Sequence, residues 1–323
     1  MKAAVHHRYG PPEVVRVVEV DRPVVGVGDV LVRVHATTVN RTDCAYRAAR
    51  PFFMRALTGL VRPRRAVLGC EYAGVVAAVG DGVTSFTVGD RVFGYNEGAF
   101  GAHAEYLSVP QGGAIATMPT GVGFEEAAPG TEGAHYALAF IRASGVRAGD
   151  DVLVHGATGA IGSAAVQLLK HGGVTVTAVC DTAHLELVKA LGADRVVDRA
   201  AQDFTRDGQR YDAVFDAVGK STFARCRRLL RPGGVYLSSE PGPWWQNLVL
   251  SLVTPLFRGR KVRFPLPRHD QEMVRRLREL IGSGAFRPVV DRRYPLERVV
   301  EAHRYVETGR KIGNVVITVV PPH

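Results

Sequence analysis

The chain has 323 residues, more than a single hydrophobic core usually supports, so two domains are expected. Apolar residues make up 46% and charged residues 22%, the composition of an ordinary soluble globular protein. The formal net charge of +10 permits an anionic partner such as nucleic acid or a membrane surface. Because the basic residues are dispersed among acids and apolar residues, we interpret them as a solubilising surface and do not expect nucleic-acid binding.

The sequence carries no sign of export or membrane insertion. No N-terminal stretch has the basic, apolar and small-residue order of a signal peptide. The longest apolar stretch, 248–257, is too short to span a bilayer and contains a proline. The 4 cysteines are scattered without a CxxC pair, which argues against a disulfide framework. We therefore expect a cytoplasmic protein without a transmembrane segment.

Residues 1–123 predict a β-rich, barrel-like domain, because short apolar runs alternate with turns rich in glycine and proline. One segment, 45–65, interrupts this pattern. It is basic and has no clear period, so we predict a long loop or short helix, where functional residues are often found. The strand candidates are 1–5, 14–20, 30–36, 74–79, a strand that follows 88–92, and 104–109.

From residue 124 onward, strands and helices alternate, which predicts a parallel, doubly wound sheet. An apolar segment with two tryptophans, 244–257, is interpreted as subunit interface or core, with a membrane-surface or substrate-lining segment as the alternative. The last 30 residues return to β character. Helices are predicted over 125–143, 182–191, 222–230 and 270–282, and strands over 195–197, 213–217, 235–238, 259–264 and 314–320.

The stretch 151–181 carries the strongest local signal, a strand, a glycine turn, a helix and a second strand. The turn reads Ala157-Thr-Gly-Ala-Ile-Gly162, which matches GxGxxG except that alanine replaces the first glycine. Gly159 would let the backbone approach a pyrophosphate, and Gly162 would let the helix pack on the strand. The helix N-terminus would supply N–H donors. An acid, Asp181, lies about 20 residues further on, where the ribose contact belongs. We predict dinucleotide binding; the alternative is a tight turn without a ligand.

Taken together, these segments resemble the medium-chain dehydrogenase/reductase superfamily, and within it the zinc-independent quinone oxidoreductase branch. The resemblance implies an α/β protein in which a GroES-like β-barrel catalytic domain (1–123 and 290–323) holds an inserted Rossmann-type nucleotide-binding domain with a doubly wound parallel sheet (124–289). The matching pieces are HATTVNRTD (35–43), LGCEYAGVVAAVG (68–80), VGDRVFG (88–94), the glycine turn, LGADRVVD (191–198), YDAVFDAVG (211–219), LLRPGGVYL (229–237) and GRKIGNVVITV (309–319).

On this resemblance we assign a set of cofactor-binding residues spread over both predicted domains. They are Gly156, Ala157, Thr158, Gly159, Ala160, Ile161, Gly162, Asp181, Val218, Gly219, Ser238, Lys311 and Asn314.

Zinc-dependent relatives carry a cysteine in a C-x-T-D pattern and a His-Glu pair in a G-H-E pattern. This chain has Asn40 and Cys70 at those positions. A catalytic zinc needs three protein ligands. Cys70 and Glu71 could supply two, and Cys44 or His103 could be recruited. We predict no zinc; the alternative is a zinc-using alcohol or aldehyde dehydrogenase.

Without a Lewis acid, a hydride is delivered more easily to a quinone or to the β-carbon of an α,β-unsaturated carbonyl. The protein must then orient the nicotinamide and stabilise charge that develops on the carbonyl oxygen. The resemblance places Asn40 beside the site as a neutral donor. Tyr46 and Arg47, on the adjoining loop, are predicted as proton donor and electrostatic stabiliser. Alternatively Asn40 caps a turn, Tyr46 serves packing, and solvent donates the proton.

The choice between NAD(H) and NADP(H) stays open. Relatives often carry serine and then a basic residue here to hold the 2′-phosphate, which favours NADPH. Asp181 would repel that phosphate and accept from a ribose hydroxyl, which favours NADH. Alternatively Asp181 caps the following helix, and His184 or Lys189 offers charge to a phosphate.

For partners, we predict a homodimer that acts on a small quinone or enone. An alternative of another class is a non-catalytic, nucleotide-dependent RNA-binding module.

Overall fold

The structure is a computed structural model that describes residues 1–320, apart from the side chain of Leu57. The last three residues of the predicted catalytic-domain segment 290–323 lie outside this range.

The N-terminal part of the chain is β-rich, as predicted. The segment 45–65 holds the end of one helix and the whole of a second. The elements are β1 (Lys2–Val5), β2 (Arg16–Glu19), β3 (Asp29–Val39), α1 (Arg41–Ala48), α2 (Met54–Thr58), β4 (Glu71–Val79), β5 (Arg91–Tyr95), β6 (Tyr106–Pro110), β7 (Ile115–Thr117) and α3 (Phe124–Ala127).

The middle of the chain alternates between helix and strand. Its elements are α4 (Glu132–Ser144), β8 (Asp151–His155), α5 (Ala160–His171), β9 (Thr175–Cys180), α6 (Leu185–Ala190), β10 (Arg195–Asp198), β11 (Tyr211–Asp216), α7 (Phe223–Cys226), β12 (Leu230–Ser238), α8 (Gln246–Val253) and β13 (Lys261–Arg263).

The C-terminal part contains α9 (Gln271–Gly282), β14 (Val290–Pro295), α10 (Val299–Glu307) and β15 (Asn314–Thr318). Helix α10 corrects the expectation that the last 30 residues are purely β. Val299, Ala302 and Val306 are buried at helical spacing, so this segment has one apolar face with a helical period.

One compact unit comprises Met1–Thr131, His269–Gly284 and Pro288–His323. Its main sheet has the strand order β14-β15-β3-β4-β5-β7, with β6 also paired to β3, and β1 and β2 form a separate ribbon. The sequence placed 124–131 and α9 in the nucleotide-binding domain. Contacts instead join both to this unit, because α9 packs on β7 and the Glu71 carboxylate accepts from Thr131.

The other unit comprises Glu132–Arg268 and Ala285–Arg287. Its six strands are all parallel, in the order β10-β9-β8-β11-β12-β13. The apolar run Val152–Val154 on β8 is fully buried, as expected for a strand covered on both faces. This is the predicted doubly wound sheet. Its strand order reverses between β8 and β11, where the carboxyl ends of such sheets form a ligand crevice.

The apolar segment 244–257 is not core of this chain. The exposed fractions are 96% for Trp244, 77% for Leu252 and 80% for Leu256. The segment contains α8, which packs on the edge strand β13. Among residues 1–320, no helix combines the length and apolar character needed to cross a bilayer.

Candidate functional site

Asn40 directly follows β3 and is the N-cap of α1. Its Oδ1 accepts from the Asp43 backbone N–H at 2.9 Å, and its own N–H donates to the Asp43 carboxylate at 3.1 Å. This reciprocal capping box satisfies two helix donors. The Asn40 side-chain Nδ2 also donates to Cys70 Sγ at 3.0 Å. Asn40 is therefore both a helix cap and an amide donor fixed against Cys70, with a second side-chain N–H that these contacts do not use.

The Glu71 carboxylate is fully buried and bonded at both oxygens. Oε2 accepts from the Thr38 hydroxyl at 2.6 Å. Oε1 accepts from the Thr131 backbone N–H at 3.1 Å and from the Thr131 hydroxyl at 2.8 Å. These bonds compensate the burial of a polar group, and they give Glu71 a structural role within its unit.

The other candidate zinc ligands, Cys44 and His103, also contact other residues of this unit. Burial raises the pKa of Cys44 to about 12, so it stays a thiol, and its sulfur lies 3.4 Å from His303 Nδ1. His103 Nε2 donates to the Thr38 carbonyl at 2.7 Å. Within the described residues, no cluster of three or more His, Cys, Asp or Glu side chains is arranged to hold a metal ion. The donor set does not fit a catalytic zinc.

Tyr46 lies on α1, not on a loop, and borders a cavity of about 230 Å³. Its ring packs on Phe100 with centroids 4.6 Å apart. Burial, and to a smaller extent Glu97 and Cys70, raise the pKa of Tyr46, so its hydroxyl stays protonated and able to donate. His6 and Leu68 also line the cavity. The structure thus places Tyr46 beside a partly open cavity in this unit.

Arg47 is also on α1 but lies away from that cavity. Its side chain is fully buried and forms an ion pair with Glu307 of α10. Its Nε and Nη1 atoms have no hydrogen-bond partner within the described chain. Arg47 therefore ties α1 to α10, and these contacts do not support its predicted role as electrostatic stabiliser.

The glycine turn between β8 and α5 is packed too closely for a side chain at two of its glycines. Gly156 has φ +81°, and a Cβ there would come within 2.4 Å of Val218. A Cβ on Gly162 would lie 2.1 Å from the Gly156 carbonyl oxygen, so only glycine lets α5 pack this closely. A Cβ on Gly159 would meet nothing nearer than 3.6 Å. No side chain caps the α5 N-terminus at Gly159, so the turn fits an anionic ligand.

Ala157 and Thr158 precede Gly159 in the turn, and Ala160 and Ile161 are the first two residues of α5. Ala157 is fully buried, and its N–H donates to the Val179 carbonyl at 3.1 Å.

Other predicted cofactor residues follow neighbouring strands at the same edge of the sheet. Ser238 ends β12 and is buried, and Val218 and Gly219 come just after β11. Here His155 Nδ1 lies 3.0 Å from Asp216 Oδ1. Burial alone would raise the pKa of Asp216, but bonds from His155, the Ser221 amide and the Tyr236 hydroxyl hold it below its ordinary value. A charged, well-bonded carboxylate therefore stabilises this edge.

Asp181 does not cap the following turn with its side chain. Its carboxylate instead accepts from Arg199 Nε at 2.5 Å. Arg199 was not among the predicted cofactor residues. The signal was the parallel pairing of β9 with β10, in which Cys180 lies opposite Asp198, so the residues that follow each strand lie side by side. Of the other candidate cations, Lys189 bonds Glu186 at 2.7 Å.

Lys311 and Asn314 belong to the sheet-rich unit. Lys311 Nζ donates to the Gly313 carbonyl at 2.5 Å, and the Asn314 side-chain amide donates to the Val289 carbonyl at 3.0 Å. Both side chains thus hold the turn that begins β15, and their assignment to the cofactor stays a prediction.

Comparisons with known proteins cover nearly the whole chain. An alcohol dehydrogenase GroES-like domain matches residues 26–120, and a zinc-binding dehydrogenase domain matches residues 191–317. The chain is 31% identical to a 2-methylene-furan-3-one reductase of Solanum lycopersicum, over 99% of this chain and 80% of that protein. It is 29% identical to a chloroplastic NADPH-dependent alkenal/one oxidoreductase of Arabidopsis thaliana, with the same coverage. The solved quinone oxidoreductase of Coxiella burnetii superposes with a TM-score of 0.88, at 27% identity and 99% coverage of both chains.

Proposed function

Because the chain belongs to the quinone oxidoreductase-like branch of the medium-chain dehydrogenase/reductase superfamily, we propose that it reduces quinones or α,β-unsaturated carbonyls without zinc. The enzyme is an oxidoreductase that uses a nicotinamide cofactor, which when bound supplies the hydride. Names of the similar proteins, which include reductases of enones and quinones, support this acceptor class.

One observation carries the proposal: an amide, Asn40, is held where zinc-dependent relatives have a metal ligand. The capping box and the bond to Cys70 fix its orientation. An amide N–H can donate to a carbonyl oxygen as negative charge develops on that oxygen. Because the donor is already oriented, little free energy is spent on reorienting it during the reaction. It cannot polarise an unactivated alcohol as a metal ion does. The site therefore suits acceptors that take a hydride readily.

Tyr46 is our proposed proton donor, because its hydroxyl is protonated and borders the cavity. We assign no catalytic role to Arg47, since its charge is neutralised by Glu307.

The glycine turn would hold the pyrophosphate, with backbone N–H groups at the start of α5 as donors. Asp181 and Arg199 would meet the adenosine ribose, the first able to accept from a hydroxyl and the second able to donate to a 2′-phosphate. We propose that both NADH and NADPH bind, because Arg199 offsets the charge of Asp181.

The test measures oxidation of NADH and NADPH by the purified enzyme with a panel of quinones, enones and saturated aldehydes as acceptors. Oxidation of alcohols with NAD+ and NADP+ is measured separately. Turnover of quinones or enones at least a hundredfold above saturated aldehydes is expected. Turnover confined to alcohols and saturated aldehydes would contradict the proposal, and so would no turnover of any acceptor.

A further inference from the structure

The cavity beside Tyr46 has an apolar wall and a positively charged rim, all within the sheet-rich unit. Tyr46, Leu68 and Phe100 form the wall, and Arg64 and Arg65 stand at the rim. Both arginines are exposed, and neither forms an ion pair with a described residue. A conjugated, flat molecule fits such a wall, since aromatic rings offer large contact areas.

The surrounding segment concentrates positive charge. Between Cys44 and Cys70 the sequence has six arginines and no aspartate or glutamate. Two acids approach this segment from other elements. Glu307 neutralises Arg47, and Glu97, which accepts from the Tyr95 hydroxyl at 2.7 Å, acts on Tyr46 through its charge. Five arginines remain against Glu97, so the segment keeps a net positive charge.

Hydrogen bonds fix the loop that carries Arg64 and Arg65. The Tyr9 hydroxyl lies 2.7 Å from both the Thr58 hydroxyl and the Gly59 carbonyl, and the Arg64 backbone N–H donates to the Thr58 carbonyl at 2.8 Å. Arg64 and Arg65 thus project from a fixed loop, and less entropy is lost when they meet a ligand.

A second, independent feature points to polar contents in the cavity. His6 lines the cavity and is 1% exposed. Its Nδ1 donates to the Ala66 carbonyl at 2.9 Å, so Nε2 is left as an acceptor, and no described residue donates to it. A buried acceptor without a partner is costly unless a water inside the cavity donates to it, and such a water can in turn donate its other hydrogen to an anionic group of a ligand.

We propose that the hydride acceptor carries an anionic oxygen group, a carboxylate or phosphate, and that Arg64 and Arg65 bind it. The conjugated carbonyl part lies against Tyr46 and Phe100. Guanidinium groups match such anions through paired N–H donors. That the bound molecule is the hydride acceptor rests on the proposed function, whereas the selectivity for an anion does not.

The experiment compares three ligands that share one enone body: 4-(3-oxobut-1-enyl)benzoate, its neutral methyl ester, and the corresponding aryl phosphate. Binding is measured by calorimetry and reduction by initial rates, for the wild type and for the double variant Arg64→Gln/Arg65→Gln. Arg62→Gln is the matched control, because it removes the same charge from the same loop outside the cavity lining.

We expect the benzoate or the phosphate to bind on the order of tenfold more tightly than the ester, and this preference to weaken as salt rises. The double variant should bind acid and ester alike, and Arg62→Gln should keep the preference. Equal affinities of the three ligands in the wild type would overturn the proposal, and so would an undiminished preference in the double variant. If the double variant misfolds, two other measurements decide the same question. The variant Arg65→Glu must bind the ester more tightly than the anionic ligands, and the preference of the wild type for the anionic ligands must weaken as salt rises. If the enzyme reduces none of the three ligands, the proposed function is contradicted. The binding affinities still decide whether Arg64 and Arg65 select an anion.

Discussion

The Asp181 carboxylate accepts a hydrogen bond from Arg199 Nε at 2.5 Å, and the two residues directly follow neighbouring parallel strands. Each side chain is about half exposed, at 52% and 53%. An ion pair this exposed is worth at most about 1 kcal/mol, so it can open when a better partner arrives. An acid and a base therefore stand together at the position where we propose that the ribose of the dinucleotide binds.

Arg199→Gln should weaken NADPH binding about tenfold and change NADH binding less than about twofold, because only NADPH offers a phosphate to the lost guanidinium. Asp181→Ser should shift the preference toward NADPH by removing a repelling charge. Dissociation constants from fluorescence titration without substrate measure both effects. Arg206→Gln, an exposed arginine elsewhere in the same unit, serves as control. Equal losses for both cofactors in Arg199→Gln would show that Arg199 does not read the phosphate.

The substitution Asn40→Ser should separate the helix-capping role of Asn40 from its proposed role as hydrogen-bond donor in catalysis. Serine caps helices about as well as asparagine, so the free energy of unfolding should change by less than about 1 kcal/mol. Serine has no side-chain amide, and its shorter hydroxyl does not reach the position of the lost N–H, so kcat should fall on the order of 100-fold. Asn40→Ala should lose a similar factor in kcat and about 1 kcal/mol more stability. Steady-state kinetics and urea unfolding measure the two effects. Full activity of Asn40→Ser would remove Asn40 from catalysis.

Asp216 should make the stability depend on pH in the acid range. Because its pKa is lowered in the folded protein, its contribution is complete above the unfolded value of about 3.9. The contribution is lost as the pH falls through the folded pKa. Asp216→Asn should cost about 2 kcal/mol at pH 7 and progressively less as the pH falls toward 3. Urea unfolding at several pH values checks this, and a cost that is constant with pH would contradict it.

The enzyme should work without zinc. The side chains considered as ligands are bonded elsewhere: Glu71 to Thr38 and Thr131, and His103 to the Thr38 carbonyl. Elemental analysis should find well under one zinc per chain, and a chelator should leave kcat unchanged. Near-stoichiometric zinc together with inactivation on chelation would favour the alcohol dehydrogenase alternative.

The exposed apolar face of α8, next to the edge strand β13, should be covered by a second copy of the chain. Light scattering should give about twice the chain mass of 34.9 kDa. Leu252→Asp/Leu256→Asp should shift the protein toward monomer, since two charges would be buried without partners. A wild-type monomer at micromolar concentration would refute the predicted homodimer.

Much of the fold was predictable because its signals are local. The alternation of strand and helix after residue 124 and the glycine turn gave the parallel sheet, and β8, α5 and β9 lie where expected. Helix α10 was missed because three of its apolar residues are valines, which favour strands, and because the helix follows a strand-like run. The exposure of 244–257 was missed because composition does not reveal whether an apolar face has a partner within the chain.

The sequence by itself determined what depends on neighbouring residues: the glycines of the pyrophosphate turn, Asn40 and Cys70 in place of zinc ligands, and the acid at Asp181. Only the tertiary structure decided which side chains meet. Strand pairing placed Arg199 beside Asp181, and the packing of α1 on α10 brought Arg47 into an ion pair with Glu307. Loop closure set Arg64 and Arg65 at the rim of a cavity. Hydrogen bonds and ion pairs act over a few ångströms, and residues distant in sequence come that close only through the register and packing of the folded chain.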